Sequence, residues 1–369
     1  NKFVYLFTKD LLMKRFLVLA CLALFGVCEL LAQTNDVVVS AIIKDKDSRK
    51  ELGNVNIVLV GSNIGTVSNS EGVFSLRVPQ EHLQKGLVVS HIGYSNVRVS
   101  VEDLLNKDKQ FVIWMSPSTM LLKELNVFGG DPRELVEKAV RKIPQNYADK
   151  HNMFSSFYRE TIQKGRRYIG ISEAVANVYK TPYKRQDVNF DRVQVLKGRR
   201  LESQKRSDTL AVKIVGGPTI PVYLDVVKNG DEFFGPDMIH CYHYTMLIPV
   251  SIDDRMQYAI RFEPRVTLEY ALYRGTLYID QESLAITRAE FELDMSDKEK
   301  ATQFVLKRKP SGLRFNLQGV SFLVTYRQQD GKTYLNYVRN TVRFKCDWKK
   351  RLFASTYTTS TEMVMVDRE

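Results

Sequence analysis

Hydrophobic and polar positions alternate with a period of two along most of this chain, which is the periodicity of half-buried β-strands. Between Val37 and Met115 the apolar runs are short, rich in Val and Ile, and punctuated by Gly, Asn and Ser. The runs Val37 to Lys44, Val55 to Val60, Ile64 to Val67, Val73 to Val78, Leu87 to His91, Ser95 to Val101 and Phe111 to Met115 predict seven strands in about 80 residues, the size of one small sandwich. Gly61-Ser62-Asn63 predicts a turn, because Gly and Asn tolerate positive φ, and Pro79 ends a strand because it cannot donate to a ladder.

The period then changes. Asp131-Pro132-Arg133-Glu134 is an N-cap, a proline in the first turn and a residue placed to complete a capping box. Leu135, Val136, Ala139, Val140 and Ile143 fall on one helical face and Pro144 ends it, so a short amphipathic linker helix is expected. From His151 onward long alternating runs return: Phe154 to Gln163, Tyr168 to Lys180, Phe190 to Lys197, Met238 to Leu247, Met256 to Pro264, Leu272 to Asp280, Leu284 to Leu293, Gly319 to Gln329, Lys332 to Trp348 and Leu352 to Val366. Asp330-Gly331 and Asp280 to Ser283 predict hairpin turns, and only Pro221 to Lys228 and Asp297 to Gln303 read as short helices. The fold class expected is mainly β: a seven-stranded sandwich, a linker helix, then a large antiparallel curved sheet or half-barrel.

Gly65-Thr66, Ser68-Asn69-Ser70-Glu71-Gly72-Val73-Phe74 and Ile92-Gly93-Tyr94 resemble the motifs of the carboxypeptidase regulatory-like domains, which have a transthyretin-like fold. Ser-Asn stands where that family usually has Thr-Asp, which keeps the turn chemistry. The resemblance implies an accessory module of exported proteins, such as the leading segment of many TonB-dependent receptors, and implies no reaction. Further on, Tyr273 to Asp280 and the strand through Glu290 are similar to the strand pairs of periplasmic lipoprotein-carrier half-barrels. Phe157-Tyr158-Arg159-Glu160, Lys197-Gly198-Arg199-Arg200, Gly216-Gly217-Pro218 and Tyr278-Ile279-Asp280 look like a group of exported Gram-negative bacterial proteins named only for the module.

Lys14-Arg15 before Phe16 to Cys28, then Leu31-Ala32-Gln33, has the three parts of an export leader, with Met13 as the natural initiator. The apolar run is about 13 residues, short of the roughly 20 that a spanning helix needs. Cys28 follows Val27, and only five apolar residues precede Cys21, so cleavage near Ala32 or Gln33 is expected in place of lipidation. The organisation expected is therefore 1–33 leader and upstream residues, 34–118 sandwich, 119–150 linker and helix, and 151–369 β-domain. Without the leader the formal charge of +12 falls to +10. In an exported chain that balance favours anionic lipid, glycan or an outer-membrane protein as partner, with possible peripheral membrane association, and it excludes nucleic acid by compartment. Cys241 and Cys346 could pair in an oxidising compartment, although strand alternation puts Cys346 on a largely apolar face.

The carboxypeptidase reaction itself fails on ligands: none of the five histidines has a glutamate three residues on, and a zinc protease needs such a pair plus a third ligand. His240 and His243 would diverge on a strand. Glu290 and Glu292 share a strand face with Arg288, spaced about 7 Å apart along the strand. That arrangement reads first as a solvated face. No nucleophile elbow, phosphate loop or dinucleotide fingerprint occurs. A large integral barrel would need more chain than remains, and Asn336 and Asn340 would be costly in hydrocarbon. Lys197, Arg199 and Arg200 are the most ligand-like residues, since Gly198 between them lets an anion approach the backbone. The function expected is a non-catalytic, exported envelope protein without metal or cofactor, binding an apolar or anionic component on the concave side of its C-terminal sheet. Its alternatives are a structural or adhesion subunit docking through the sandwich, and a hydrolase of unknown type.

Overall fold

The computed structural model describes residues 36–105, 111–118, 128–205, 208, 210–230, 232–348 and 354–368. The expected leader and most of the expected linker lie outside those residues. Seven strands form the first unit: β1 (Val37–Asp45), β2 (Asn56–Leu59), β3 (Gly65–Val67), β4 (Val73–Val78), β5 (Gly86–Ser90), β6 (Val97–Ser100) and β7 (Phe111–Met115). They make two sheets, ordered β4-β1-β7 and β3-β2-β5-β6, with β1 and β7 parallel and the other pairs antiparallel. Val39, Ala41, Ile43, Ile57, Leu59 and Leu76 fill the space between them, each almost fully buried. A short helix α1 (Val101–Leu105) closes one end.

The Ser68 to Phe74 motif is held by its own side chains. Ser68 Oγ accepts from Val55 N and donates to Leu52 O, and Asn69 Oδ1 accepts from Glu71 N and Val73 N. Gly72 sits at φ +72°, with Ile43 O only 2.6 Å from where a Cβ would stand, so a side chain is excluded twice over.

Helix α2 (Pro132–Arg141) starts as its sequence requires: the Asp131 side chain accepts from Arg133 N at 2.9 Å. Its Leu135, Val136 and Ala139 are buried, and Pro144 falls inside a further single turn, α3 (Ile143–Asn146). The second unit then adds β8 (Asn152–Lys164), β9 (Arg167–Lys180), β10 (Arg192–Glu202), β11 (Lys213–Ile214), α4 (Ile220–Tyr223) and α5 (Pro236–Ile239). After these come β12 (Tyr242–Met246), β13 (Val250–Ile252), β14 (Arg255–Pro264), β15 (Tyr273–Asp280), β16 (Ile286–Leu293) and α6 (Lys298–Val305). The chain finishes with β17 (Leu306–Arg308), β18 (Leu313–Gln329), β19 (Lys332–Trp348) and β20 (Ser355–Arg368).

Eleven of these strands form one open antiparallel sheet, ordered β10-β9-β8-β20-β19-β18-β16-β15-β14-β12, with β13 beside β14. The sheet does not close, because β10 and β12 end the path and do not pair with each other. Two departures from the sequence expectation have local causes. Met238 and Ile239 belong to α5, since Pro236 fits a first helical turn, and the strand begins only at Tyr242. Strand β10 runs on to Glu202, beyond Lys197, because the partner β9 is long enough to pair it.

One face of the sheet is covered by α2, α3, α6 and the described, largely irregular residues of 181–191 and 210–241. Phe233 stacks on Tyr273 at 5.0 Å, Phe234 meets Phe262 at 5.2 Å and Phe291 stacks on Phe322 at 4.9 Å. The aromatic side that was expected to receive a ligand is thus packed against the chain's own residues. A buried polar knot fixes the irregular stretch to the strands. Lys180 Nζ lies 2.7 Å from Asp225 and 2.8 Å from Asp191, while Tyr183 and Tyr326 donate to the two Asp225 oxygens. Lys228 Nζ donates to Thr181 and to the Pro182 carbonyl, so both lysines are satisfied out of water. Cys241 and Cys346 are separate thiols, the latter buried on the apolar side of β19 with its thiol pushed up to about 11 by burial.

Candidate functional site

The opposite face of the sheet is polar, and it carries the sandwich. Side chains directly opposed across an antiparallel pair share a face, so the strand registers alone define rows running across the sheet. In one row Arg261 opposes Thr276, Thr276 opposes Glu290, Glu290 opposes Leu323, and Leu323 opposes Arg339. The row continues from Arg339 to Glu362, Arg159, Glu173 and Arg199. Arginine and glutamate therefore alternate over most of its length. The neighbouring row is mainly hydroxylic: Arg274, Glu292, Ser321, Thr341, Ser360 and Thr161 oppose one another in turn.

Loops of the sandwich stand over these rows. Arg339 Nη1 donates to Asn54 Oδ1 at 2.7 Å, Asn336 Nδ2 to Asn56 Oδ1 at 3.2 Å, and Arg327 Nη2 to the Asn63 carbonyl at 2.7 Å. Val67 packs beside Leu323, Tyr337 and Val364, a small apolar contact in a polar seam. A cleft of about 570 Å³ opens on one side of this contact, floored by both rows and walled by Gly53, Asn54, His91 and Ile92. A smaller one of about 220 Å³ lies on the other side, under the Asn69-Ser70-Glu71 loop. Arg339 lines both.

Two of the arginines in the larger cleft are ion-paired. Arg288 Nε, on a nearly buried side chain, donates to Glu290 Oε1 at 2.6 Å, and Arg274 is paired with Asp294. His91 is pushed down to about 4, first by burial and then by the nearby Arg288 guanidinium, so it stays neutral at physiological pH. Its Nδ1 faces the Asn54 carbonyl at 3.2 Å, which makes Nδ1 the protonated nitrogen and leaves Nε2 as an acceptor. Chemically this is a cleft of alternating donors and acceptors with little net charge.

The residues expected from sequence are dispersed. Lys197, Arg199 and Arg200 lie on the exposed edge strand β10, where a register shift sits between Val195 and Lys197. Arg199 ends the charged row, bonded to Glu173 at 2.5 Å, and Glu173 also pairs with Arg159 at 3.3 Å. Arg200 pairs with Glu202, and Lys197 opposes Val175. Glu290 and Glu292 do share a face with Arg288 while Phe291 and Leu293 fill the other, but that face is the floor of the larger cleft and is not simply solvated. His240 caps α5 and His243 lies on β12, both exposed, and among the described residues no group of three or more His, Cys, Asp or Glu gathers. Arg339 and Glu362 were not singled out from sequence, and Arg159 entered only within the Phe157 to Glu160 motif, with no role at a site. Their only signal was a charge at alternate positions of otherwise ordinary strands.

A family profile described as a CarboxypepD_reg-like domain matches residues 40–127. No curated protein matches the chain in sequence. Among solved structures, a putative outer membrane lipoprotein-sorting protein domain from Vibrio parahaemolyticus is 11% identical, covering 64% of this chain and 91% of its own, with a TM-score of 0.31. A DUF1329 family protein from Desulfovibrio piger is 12% identical, with coverages of 63% and 92% and a TM-score of 0.26. A LolA superfamily protein from Nitrosomonas europaea is 14% identical, with coverages of 65% and 95% and a TM-score of 0.21. At such scores nothing about the site is carried over from these three. The chain carries a CarboxypepD_reg-like domain in its N-terminal part, followed by a large open antiparallel sheet.

Proposed function

We propose that this is a non-catalytic binding protein of the cell envelope, and that its ligand is a polar, hydroxyl-bearing envelope component seated between the sandwich and the sheet. The observation that carries the reading is the cleft of about 570 Å³, whose floor and walls come from both units and whose lining alternates arginine, glutamate and hydroxyl groups. An envelope location is supported by the leader-like pattern of residues 13–33 and by the module that follows it. The aromatic face is packed with Phe233, Phe234 and Phe291, which favours the polar side for the ligand. Pairing of Glu290 with Arg288 and of His91 with the Asn54 carbonyl suits holding a ligand better than moving a proton.

Arg261 and Glu292 are exposed on the cleft floor, so their removal should leave the fold intact. A hydrogen bond to a charged group contributes about 1.5–3 kcal/mol, so Arg261→Ala and Glu292→Ala should each weaken binding roughly tenfold or more without moving the melting temperature. Calorimetric titration with soluble envelope glycan fragments, and with vesicles presenting the matching lipid headgroups, would show it. Unchanged affinity in both variants would remove the cleft from consideration.

A second reading, a docking subunit, is favoured by Val38 and Trp114, which are exposed on the sandwich at 58% and 39%. Membrane pull-downs with wild type and with a Val38→Asp, Trp114→Ala variant would then differ by one protein partner.

A further inference from the structure

The larger cleft holds the ligand in the reading above, and the inference here rests on that reading. We propose that this cleft is one part of a longer groove, and that the groove takes a linear glycan laid across the strands. Three observations converge on it. The two clefts share Arg339, so they meet at one side chain and are not independent pockets. Their floors are successive parts of the same two rows: the charged one runs from β14 to β9 with Leu323 as its apolar position, and the hydroxylic one runs from β15 to β8. Both are roofed by loops of one domain: Gly53-Asn54 and His91-Ile92 over the first, Asn69 to Glu71 over the second.

Dimensions separate a polymer from a single headgroup. Neighbouring strands are about 4.8 Å apart, so the eight strands from β14 to β9 span roughly 34 Å. One headgroup would fill the larger cleft and leave the hydroxylic floor beyond Arg339 without a task. The charge pattern decides among polymers. Positive and negative side chains alternate along the row, so the floor has no concentration of one sign to attract a polyanion. Arginine donates, glutamate accepts, and serine and threonine do both, which matches a chain of sugar hydroxyls that themselves donate and accept. Arg339, tied to Asn54 at 2.7 Å, stands where the chain passes from one cleft to the other.

Chain-length dependence tests the proposal on the full protein. Chito-oligosaccharides from dimer to hexamer, an oligogalacturonate series of the same lengths, and phosphatidylglycerol vesicles would be titrated in parallel. The expected result is an affinity that rises with length by roughly tenfold or more from dimer to hexamer in the chito-oligosaccharide series, while the polyanionic oligogalacturonates bind no better as they lengthen. Ser360→Ala, in the smaller cleft, should weaken the hexamer and leave the dimer unchanged, whereas Glu292→Ala should weaken both. Equal affinity for dimer and hexamer, or a Ser360→Ala effect that is the same for both, overturns the groove and leaves the single-cleft reading standing. Vesicle binding without sugar binding overturns the glycan and assigns the cleft to a headgroup. Failure of all three probes to bind overturns both readings.

Discussion

Asp225 has no exposure to water, yet both its carboxylate oxygens are engaged. Burial alone pushes its carboxyl up; the Lys180 ammonium at 2.7 Å outweighs that and holds it below the usual carboxylate value. Removing one partner of such a pair leaves an uncompensated buried charge, so Asp225→Asn should cost about 3–5 kcal/mol in denaturant unfolding. Because the folded value is depressed, this stabilisation is complete above the unfolded carboxylate range and is lost progressively as pH falls from that range through the lower folded value. His91 titrates in a different window. Its folded value of about 4 lies below the ordinary 6.5, so folding favours the neutral ring and that preference is lost as pH drops from 6.5 toward 4. Unfolding midpoints measured across that window should fall with pH, and less steeply in His91→Gln. Nothing in the sequence marks either group: Lys180 and Asp225 lie 45 residues apart, and His91 ends an ordinary strand.

At the scale of elements, the alternation of apolar residues was legible wherever a strand had one covered face. Val55 to Val60 and Tyr334 to Trp348 show this, as does the Asp330-Gly331 turn with both residues at positive φ. It misled at Met238-Ile239-His240, where aromatic residues on one side of a proline-started turn imitated a strand. Pairing partners were legible only across tight turns, as at Asp330-Gly331 and Asp280 to Ser283, because elsewhere register depends on which distant segment arrives alongside. Gly275 shows what that register demands. A Cβ there would stand 2.2 Å from the Glu290 carbonyl and 2.5 Å from Phe291 Cα, both backbone atoms of the adjoining strand. Gly275→Ala should therefore push β15 from β16 and lower stability by about 1–3 kcal/mol. Faster amide exchange at Leu277 and Ala289 would place the damage on that pair.

For the molecule as a whole, the small unit was readable and the large one only in class. The sandwich is built from neighbouring segments, and its Ser68 to Phe74 loop is held by residues close by in sequence. The seam is different in kind. Arg159, Glu290, Arg339 and Glu362 come from four separate strands and align only through the order of the sheet. Candidate chemistry could be named residue by residue, as with Glu290 and Arg199, without any sign that both belong to one row.

The open edge of the sheet has a cost unrelated to ligands. Strand β10 presents eleven residues to solvent along one side, with Val195, Leu196 and Leu201 more than half or near half exposed at 50%, 55% and 57%. Such an edge is a template on which a second copy could add a strand and start an aggregate. Lys197, Arg199 and Arg200 interrupt it with charge pointing to both faces, and like charges on two such edges repel each other. Replacing Lys197 and Arg200 with valine should leave the monomer folded at low concentration and make light scattering rise with concentration and time, with amyloid-dye fluorescence rising alongside.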